Sequence, residues 1–145
     1  MTAYKGRLSF KQYLPAKPTK FGIKVWLRAD PHNGYVHEFQ VYTGREEGQA
    51  GRTKEEGLGA CVVNDLTEKI RGKSHAVYMD NFFSSPTLFE SLRKDKIYCL
   101  GTVRAYRKGM PEEIKTAKLK NRGDSILMTK GNLCAVAWKD KKVVH

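Results

Sequence analysis

The sequence predicts an α/β fold in which helices flank a mixed β-sheet. Two apolar segments that alternate imperfectly are joined by Asn33-Gly34, a residue pair typical of hairpin turns. A short apolar run at residues 76–79 ends at Asp80, and a helix start follows at Ser85-Pro86. Another apolar run follows at 97–103. A strand, helix, strand order implies parallel strands joined by a helical crossover.

The first half of the chain predicts a hairpin followed by a helix. Residues 21–29 and 35–42 are rich in β-branched and aromatic side chains, so we expect two antiparallel strands. The stretch 44–59 is rich in Gly and Glu and predicts a loop. After it, apolar residues at helical spacing predict a helix that ends near residue 70; they are Ala60, Val62, Val63, Leu66 and Ile70.

The second half begins with the strand that ends at Asp80. The helix after it has Ser85 as its cap, Pro86 in its first turn, and an apolar face formed by Leu88, Phe89 and Leu92. We expect the next strand at residues 97–103, and we expect it to lie parallel to the strand before the helix.

The composition changes beyond Arg104. Residues 105–125 are charged and poor in apolar side chains. Residues 125–128 and 133–139 then predict a hairpin around Lys130-Gly131-Asn132, and 143–145 predict the beginning of one more strand.

The chain is basic, with a formal net charge of +12 over 145 residues. Residues 1–24 carry six basic and no acidic side chains, residues 25–101 carry ten against eleven, and residues 102–145 carry eleven against four. Basic ends favour a polyanion such as nucleic acid, because each cation placed on a phosphate releases a counterion. The basic residues alternate with aromatic ones on which bases can stack. A solvated basic surface and a membrane surface are the alternatives.

Several other classes of site are excluded. Cys61, Cys99 and Cys134 lie far apart in apolar contexts, so we expect core residues, and their odd number favours a reducing compartment. The sequence has no C-x-x-C or H-x-x-x-H pair for zinc and no apolar run near the ~20 residues that span a bilayer. Gly72-Lys73-Ser74 is not a P-loop, because Thr67 replaces its first glycine and a strand follows.

Asp80 is the candidate for chemistry. An acid at the carboxyl end of a buried strand lies at the sheet edge where α/β folds bind ligands. One carboxylate does not hold a catalytic metal by itself, since two-metal phosphoryl chemistry requires oxygen ligands from separate parts of the chain. The alternatives are that Asp80 is a cap beside the following helix or a vestigial acid without a role in chemistry.

Five segments, in this order, resemble the piggyBac transposase domain and its domesticated derivatives. They are Tyr4-Lys5-Gly6-Arg7, residues 13–24 (Tyr-Leu-Pro-Ala-Lys-Pro-Thr-Lys-Phe-Gly-Ile-Lys), Tyr42-Thr43-Gly44, residues 80–85 (Asp-Asn-Phe-Phe-Ser-Ser) and Gly101-Thr102-Val103-Arg104. The resemblance extends over essentially the whole chain.

The resemblance implies an RNase H-like core with a three-aspartate metal site, interrupted by an inserted subdomain after the strand that carries residues 101–104. Residues 1–104 are then an incomplete core with a mixed sheet, and residues 105–145 are the beginning of a truncated, β-containing insertion. Asp80 matches the second of the three aspartates, which bind Mg²⁺ or Mn²⁺, and the first and third have no counterpart here. The family's activity is metal-dependent DNA strand cleavage and transfer.

With one carboxylate of three, we expect the isolated chain to be inactive and its metal binding to be weak. It is then a fragment of a transposase or of a domesticated derivative. A non-catalytic, basic DNA-binding remnant and a relic without function are the alternatives. We expect a nuclear location, DNA as the partner and no membrane, and the resemblance leaves a homodimer open in the full-length context. The predicted phosphate-binding residues are Lys5, Arg7, Lys11, Lys17, Lys20, Arg104, Arg107 and Lys108.

Overall fold

The computed structural model describes residues 1–44 and 57–145, which form two compact units, residues 1–69 and 70–145. Most of the loop expected at 44–59 lies outside the described residues. The first unit begins with a three-stranded antiparallel sheet of order β1-β3-β2, in which Thr2 pairs with Ile23 and Tyr13 with Phe21. Its strands are β1 (Thr2–Ala3), β2 (Gln12–Tyr13) and β3 (Phe21–Ile23).

The hairpin expected around Asn33-Gly34 is confirmed. Strands β4 (Val25–Ala29) and β5 (Val36–Val41) pair antiparallel. Gly34 has φ +75°, a conformation that glycine adopts without steric cost, and the Asp30 amide donates to the Tyr35 carbonyl at 2.8 Å to close the turn. The register shifts next to the turn, where a β-bulge lies between Arg28 and Ala29.

The single strand expected at residues 21–29 is wrong. The segment divides at Lys24, because Phe21–Ile23 pairs with β1 and β2 whereas Val25–Ala29 pairs with β5. The Lys24 ammonium lies 3.9 Å from the centre of the Trp26 ring, and burial lowers the pKa of this lysine. Strand propensity is the same on both sides of Lys24, so the change of partner has no local signal.

The expected helix after the hairpin is confirmed as α1 (Leu58–Thr67), followed by a 3₁₀ turn at Glu68–Ile70. It packs against β4 and β5 through a face that includes the buried Cys61, Val62 and Leu66. The Arg28 Nε donates to the Leu66 carbonyl at 2.8 Å. These contacts place the main apolar core of the first unit between helix and hairpin.

The second unit begins with the predicted strand, helix, strand sequence. Strands β6 (Ala76–Met79) and β7 (Tyr98–Gly101) are parallel, and α2 (Pro86–Lys94) lies between them in the chain. The Ser85 hydroxyl accepts from the Leu88 amide at 3.2 Å and caps α2 as expected. Leu88 and Leu92 of this helix are buried, and so is Ile97, which follows it in the chain.

A further antiparallel sheet of order β10-β9-β8 completes the second unit, confirming the hairpin and the final strand. Its strands are β8 (Ser125–Lys130), β9 (Leu133–Lys139) and β10 (Val143–Val144). A short helix, α3 (Glu112–Lys115), lies in the charged stretch before it. Met110, Ile114 and Ala137 form a buried core there, which the composition of 105–125 did not predict.

One mixed sheet is not present in the part of the chain that the structure describes. The strands of the described residues form four small sheets, in which β6 and β7 are parallel and the other pairs are antiparallel. The strand order in the sequence implies that neighbouring strands share one sheet, but β4 pairs with β5 and β6 with β7 in separate sheets. The helices α1 and α2 have ten and nine residues, and no described helix has the length and apolar character needed to cross a membrane.

The three cysteines have different environments. Cys61 is buried and Cys99 is half-buried, and burial raises the pKa of the Cys99 thiol to about 11. The expectation of a core position is wrong for Cys134, which is exposed. Alternation along β9 explains this, because Ala135 and Ala137 turn inward to the core and Cys134 lies on the opposite face.

Candidate functional site

Asp80 directly follows β6 and is exposed at the carboxyl end of this parallel strand. Its Oδ1 accepts from the Phe82 amide at 2.9 Å, which closes a local turn of the kind that aspartate favours. Its backbone carbonyl accepts from the Ser84 amide at 3.1 Å and from the Ser84 hydroxyl at 2.9 Å. The turn at 80–84 therefore fixes the backbone of Asp80 and uses one of its two carboxylate oxygens.

The alternative role of Asp80 as a helix cap is wrong. Helix α2 begins at Pro86, and its capping side chain is Ser85. The carboxylate of Asp80 bonds instead within its own turn, to the Phe82 amide. Capping therefore does not account for an acid at this position.

Gly101 allows the end of β7 to approach this turn closely. It pairs with Met79, the last residue of β6. A Cβ on Gly101 would lie 2.6 Å from the Ser84 hydroxyl oxygen and would collide with the Met79 carbonyl. A side chain at residue 101 would thus push against the Asp80 turn, so glycine is required by close approach rather than by backbone conformation.

Arg107 reaches the turn from the segment that follows β7. Its Nη2 donates to the carbonyl oxygens of Asn81 at 2.7 Å and Phe82 at 3.1 Å. The Arg107 amide donates to the Arg104 carbonyl at 2.9 Å, and the Arg107 carbonyl accepts from the amide of the buried Met110 at 3.1 Å. The guanidinium is thus held between a core-anchored backbone and the residues that immediately follow Asp80.

The other predicted phosphate-binding residues divide between the two units. Of the three in the second unit, Arg107 contacts the turn of Asp80, and Arg104 and Lys108 are exposed in the same segment of the chain. In the first unit the Lys11 ammonium donates to the Gly6 carbonyl at 3.1 Å. The remaining four are exposed in the first unit; they are Lys5, Arg7, Lys17 and Lys20.

A carboxylate is a suitable ligand for Mg²⁺ or Mn²⁺, which are hard cations that prefer oxygen. Asp80 fits as one such ligand. Within residues 1–44 and 57–145 no group of three or more His, Cys, Asp or Glu is placed to hold a metal ion. The described residues therefore offer one ligand of a metal site and not a complete site.

A groove of about 460 Å³ lies beside the β6–β7 pair. Its lining is mostly apolar and includes the exposed Tyr78, Leu100 and Trp138. Apart from Thr102 and His145, this lining offers few of the charged donors and acceptors that phosphate or metal binding requires. We therefore assign the candidate chemistry to the turn of Asp80 and not to this groove.

The chain is similar to known proteins in both sequence and fold. A family model described as transposase IS4 matches residues 1–145. The human PiggyBac transposable element-derived protein 3 is 36% identical over 99% of this chain and 25% of its own length. The human PiggyBac transposable element-derived protein 5 is 28% identical over 86% of this chain and 25% of its own length. The chain thus spans about a quarter of the curated relatives that it matches.

A solved structure shares the fold. A piggyBac transposase, determined by cryo-electron microscopy in a synaptic complex with hairpin DNA, matches with a TM-score of 0.85 and 32% identity, over 97% of this chain and 30% of that one. Fold and sequence together define a transposase-type protein. More specifically, the chain belongs to the piggyBac family of transposases and transposable element-derived proteins.

Sequence reasoning missed three features of the site: the Ser84 hydroxyl bond, the close approach at Gly101 and the contact of Arg107 with backbone carbonyls. A serine four residues after the aspartate and a glycine at the end of the neighbouring strand were available as signals. The Arg107 contact joins residues more than twenty positions apart, and no local pattern encodes it.

Proposed function

We propose that this chain contributes Asp80, as one carboxylate ligand of a divalent metal, to the core of a piggyBac-type transposase that cleaves and transfers DNA strands. The observation that carries the proposal is the position of Asp80 at the carboxyl end of a parallel strand, in a turn that engages only Oδ1. The second carboxylate oxygen, Oδ2, is the natural ligand atom. The chain-wide membership of the family supports the same role.

A bound Mg²⁺ or Mn²⁺ ion would neutralise charge on the reacting phosphate and on the attacking and leaving oxygens. The protein's own contribution is positional. The turn at 80–84 holds the Asp80 backbone through Ser84, and Gly101, which has no side chain, lets the end of β7 lie close to this turn. A carboxylate that is already held in place loses less conformational entropy when it binds a metal ion, so the binding is more favourable.

The remaining metal ligands are proposed to come from sequence outside this chain. On this proposal residues 1–104 are part of an RNase H-like core, and residues 105–145 begin an inserted subdomain. Met110, Ile114 and Ala137 form a buried core with the strands that follow residue 105, which supports a folded element there, and Val103 packs against the same core. The isolated chain is then catalytically inactive, because one carboxylate of three does not hold two metal ions.

DNA is the proposed partner, and a nuclear location and a homodimer in the full-length context are proposed with it. Support comes from the exposed basic side chains of both units and from the family. The solved relative is a transposase bound to hairpin DNA. Phosphate contacts of this kind give affinity without sequence preference.

A non-catalytic DNA-binding remnant is the second candidate. The observation that favours it is that the described residues contain no cluster of carboxylates around Asp80. On this alternative the exposed lysines and arginines bind phosphates, and Asp80 serves only its turn. DNA affinity would then be independent of Mg²⁺ beyond the effect of ionic strength.

The test uses the protein expressed from its intact gene and a hairpin or nicked DNA duplex that carries the element's ends. Asp80→Asn keeps the shape of the side chain but removes its charge. We expect cleavage to fall by at least the ~10–100-fold that the loss of even an outer-shell metal partner costs. Asp95→Asn, which alters an acid paired with Arg71 on the surface, is the matched control. Normal cleavage by Asp80→Asn would exclude Asp80 as a ligand.

A further inference from the structure

The Arg107 guanidinium is bonded to the backbone of the turn that carries Asp80. Its Nη2 donates to two successive carbonyl oxygens, those of Asn81 and Phe82, at 2.7 and 3.1 Å. Arg107 therefore holds Asn81 through its carbonyl. Phe82 is held through both its carbonyl and its amide. Its amide donates to Asp80 Oδ1 at 2.9 Å and its carbonyl accepts from Arg107.

We propose that Arg107 is a positioning residue that fixes the turn at 80–84 and thereby the carboxylate of Asp80. The inference rests on the proposed function of Asp80 as a metal ligand. The chain of contacts is short. Arg107 holds the Phe82 carbonyl, and the Phe82 amide holds the Asp80 carboxylate. Moving the Phe82 peptide would therefore move the ligand.

Two observations favour the positioning role of Arg107 over direct binding of phosphate. The donor Nη2 is already used by backbone carbonyls, whereas a bidentate phosphate contact requires two donors of the guanidinium fork. The neighbouring Arg104 and Lys108 are exposed and better placed to meet a polyanion. Arg107, by contrast, is only half-exposed.

A third observation argues against a role in stability alone. The Arg107 Nε is buried and has no hydrogen-bond partner among the residues that the structure describes. An unpaired charged donor is destabilising, so an apolar side chain of similar length would suit a purely structural site better. The contact that uses the charge of this arginine is therefore the one that its Nη2 makes with the turn of Asp80.

The experiment compares Arg107→Met, Arg107→Lys and Arg104→Met in the protein expressed from its intact gene. The first readout is hydrogen exchange of the amides at 82–84, which requires neither metal nor DNA. Arg107→Met is expected to speed this exchange by about tenfold, the effect of losing one charge-assisted hydrogen bond, while the rest of the second unit keeps its protection. Arg107→Lys restores part of it, because an ammonium can still donate to a carbonyl.

The second readout is the dependence of DNA affinity on salt. Arg107→Met is expected to leave the slope of log K against log salt unchanged. Arg104→Met removes an exposed cation and is expected to reduce the magnitude of this slope by about 0.9. The third readout is cleavage, which Arg107→Met should lower ~10–100-fold while raising the Mg²⁺ concentration needed for half-maximal rate.

Four results would overturn the inference. A slope reduced by about 0.9 in Arg107→Met with normal exchange at 82–84 assigns the guanidinium to phosphate. Faster exchange throughout the second unit assigns it to general stability. Normal cleavage by Arg107→Met, when Asp80→Asn is inactive, removes the positioning role but leaves the proposed function intact. If Asp80→Asn cleaves normally, the proposed function fails and this inference falls with it.

Discussion

The Ser84 hydroxyl donates to the backbone carbonyl of Asp80 at 2.9 Å. Ser84 is 1% exposed, so this bond lies below the surface while the carboxylate of Asp80 is exposed above it. The same carbonyl accepts from the Ser84 amide at 3.1 Å. One serine thus holds the candidate ligand from below through both its backbone and its side chain, and the geometry of the site depends on it.

Replacing Ser84 with alanine tests this anchor. The substitution removes the hydroxyl donor but keeps the amide bond to Asp80, so we expect the free energy of unfolding to fall by about 1 kcal/mol, the net value of one hydrogen bond. Chemical denaturation measures it. Ser91→Ala, on the exposed face of α2, is the control and should have no destabilising effect, since alanine favours a helix. Equal stability of the two variants would show that the Ser84 hydroxyl does not contribute.

Gly101 is the second constraint on the turn. In Gly101→Ala the new Cβ would collide with the Met79 carbonyl and would approach the Ser84 hydroxyl to 2.6 Å. Because strand β7 must shift to relieve this, we expect a loss of about 1–3 kcal/mol, as for other overpacked sites. Thermal or urea unfolding provides the measurement. Leu100→Ala, a change at the exposed neighbouring position of β7, is the control. A Gly101→Ala variant as stable as this control would contradict the close approach.

The features that the sequence predicted correctly depend on neighbours in the chain. Ser85-Pro86 identifies the start of α2 because a capping hydroxyl and a proline act within one turn. Asn33-Gly34 identifies the β4–β5 hairpin because glycine permits the positive φ that the turn requires. The position of Asp80 after β6 follows from the same kind of local pattern.

The features that were missed depend on distant partners. Strands β1 and β2 have two residues each and exist only because β3 pairs with both. The division at Lys24 occurs where one set of partners ends and another begins. The hydrogen bonds of Arg107 to Asn81 and Phe82 depend on the folded path of the chain, and phosphate binding by this residue stays a prediction. Single-sequence patterns carry no information about such pairings.

The cysteines provide a test of burial that does not involve DNA. Burial raises the pKa of Cys99 from its ordinary value of 9.0 to about 11. At pH 8 the thiolate fraction of Cys99 is therefore about a hundredfold lower than that of a thiol with the ordinary pKa. Cys134 is exposed. We expect iodoacetamide to label Cys134 well before Cys99, as mass spectrometry of the peptides would show. Equal labelling rates would contradict the structure.

The raised pKa also predicts the direction of a pH effect. In the unfolded chain the Cys99 thiol ionises near 9.0, while in the folded protein it keeps its proton to about 11. The unfolded state therefore binds fewer protons in this window, and stability falls as the pH rises from 9.0 towards 11. Cys99→Ser should reduce this dependence, because serine does not ionise there. An unchanged pH dependence in the variant would assign the effect to other groups.

The last prediction concerns the basic surface of the first unit. Lys17 and Lys20 are exposed in the loop between β2 and β3, which the Leu14 amide closes by donating to the Lys20 carbonyl at 2.8 Å. If both bind phosphates, Lys17→Met and Lys20→Met together should lower the slope of log K against log salt by about 1.8, since each contact contributes about 0.9. Fluorescence anisotropy with a duplex at several salt concentrations measures this slope. Lys69→Met is the matched control, because the Lys69 ammonium is paired with Glu38 at 2.6 Å. A slope that both sets of variants leave unchanged would exclude this loop from the DNA-binding surface and leave Arg104 and Lys108 as its exposed candidates in the second unit.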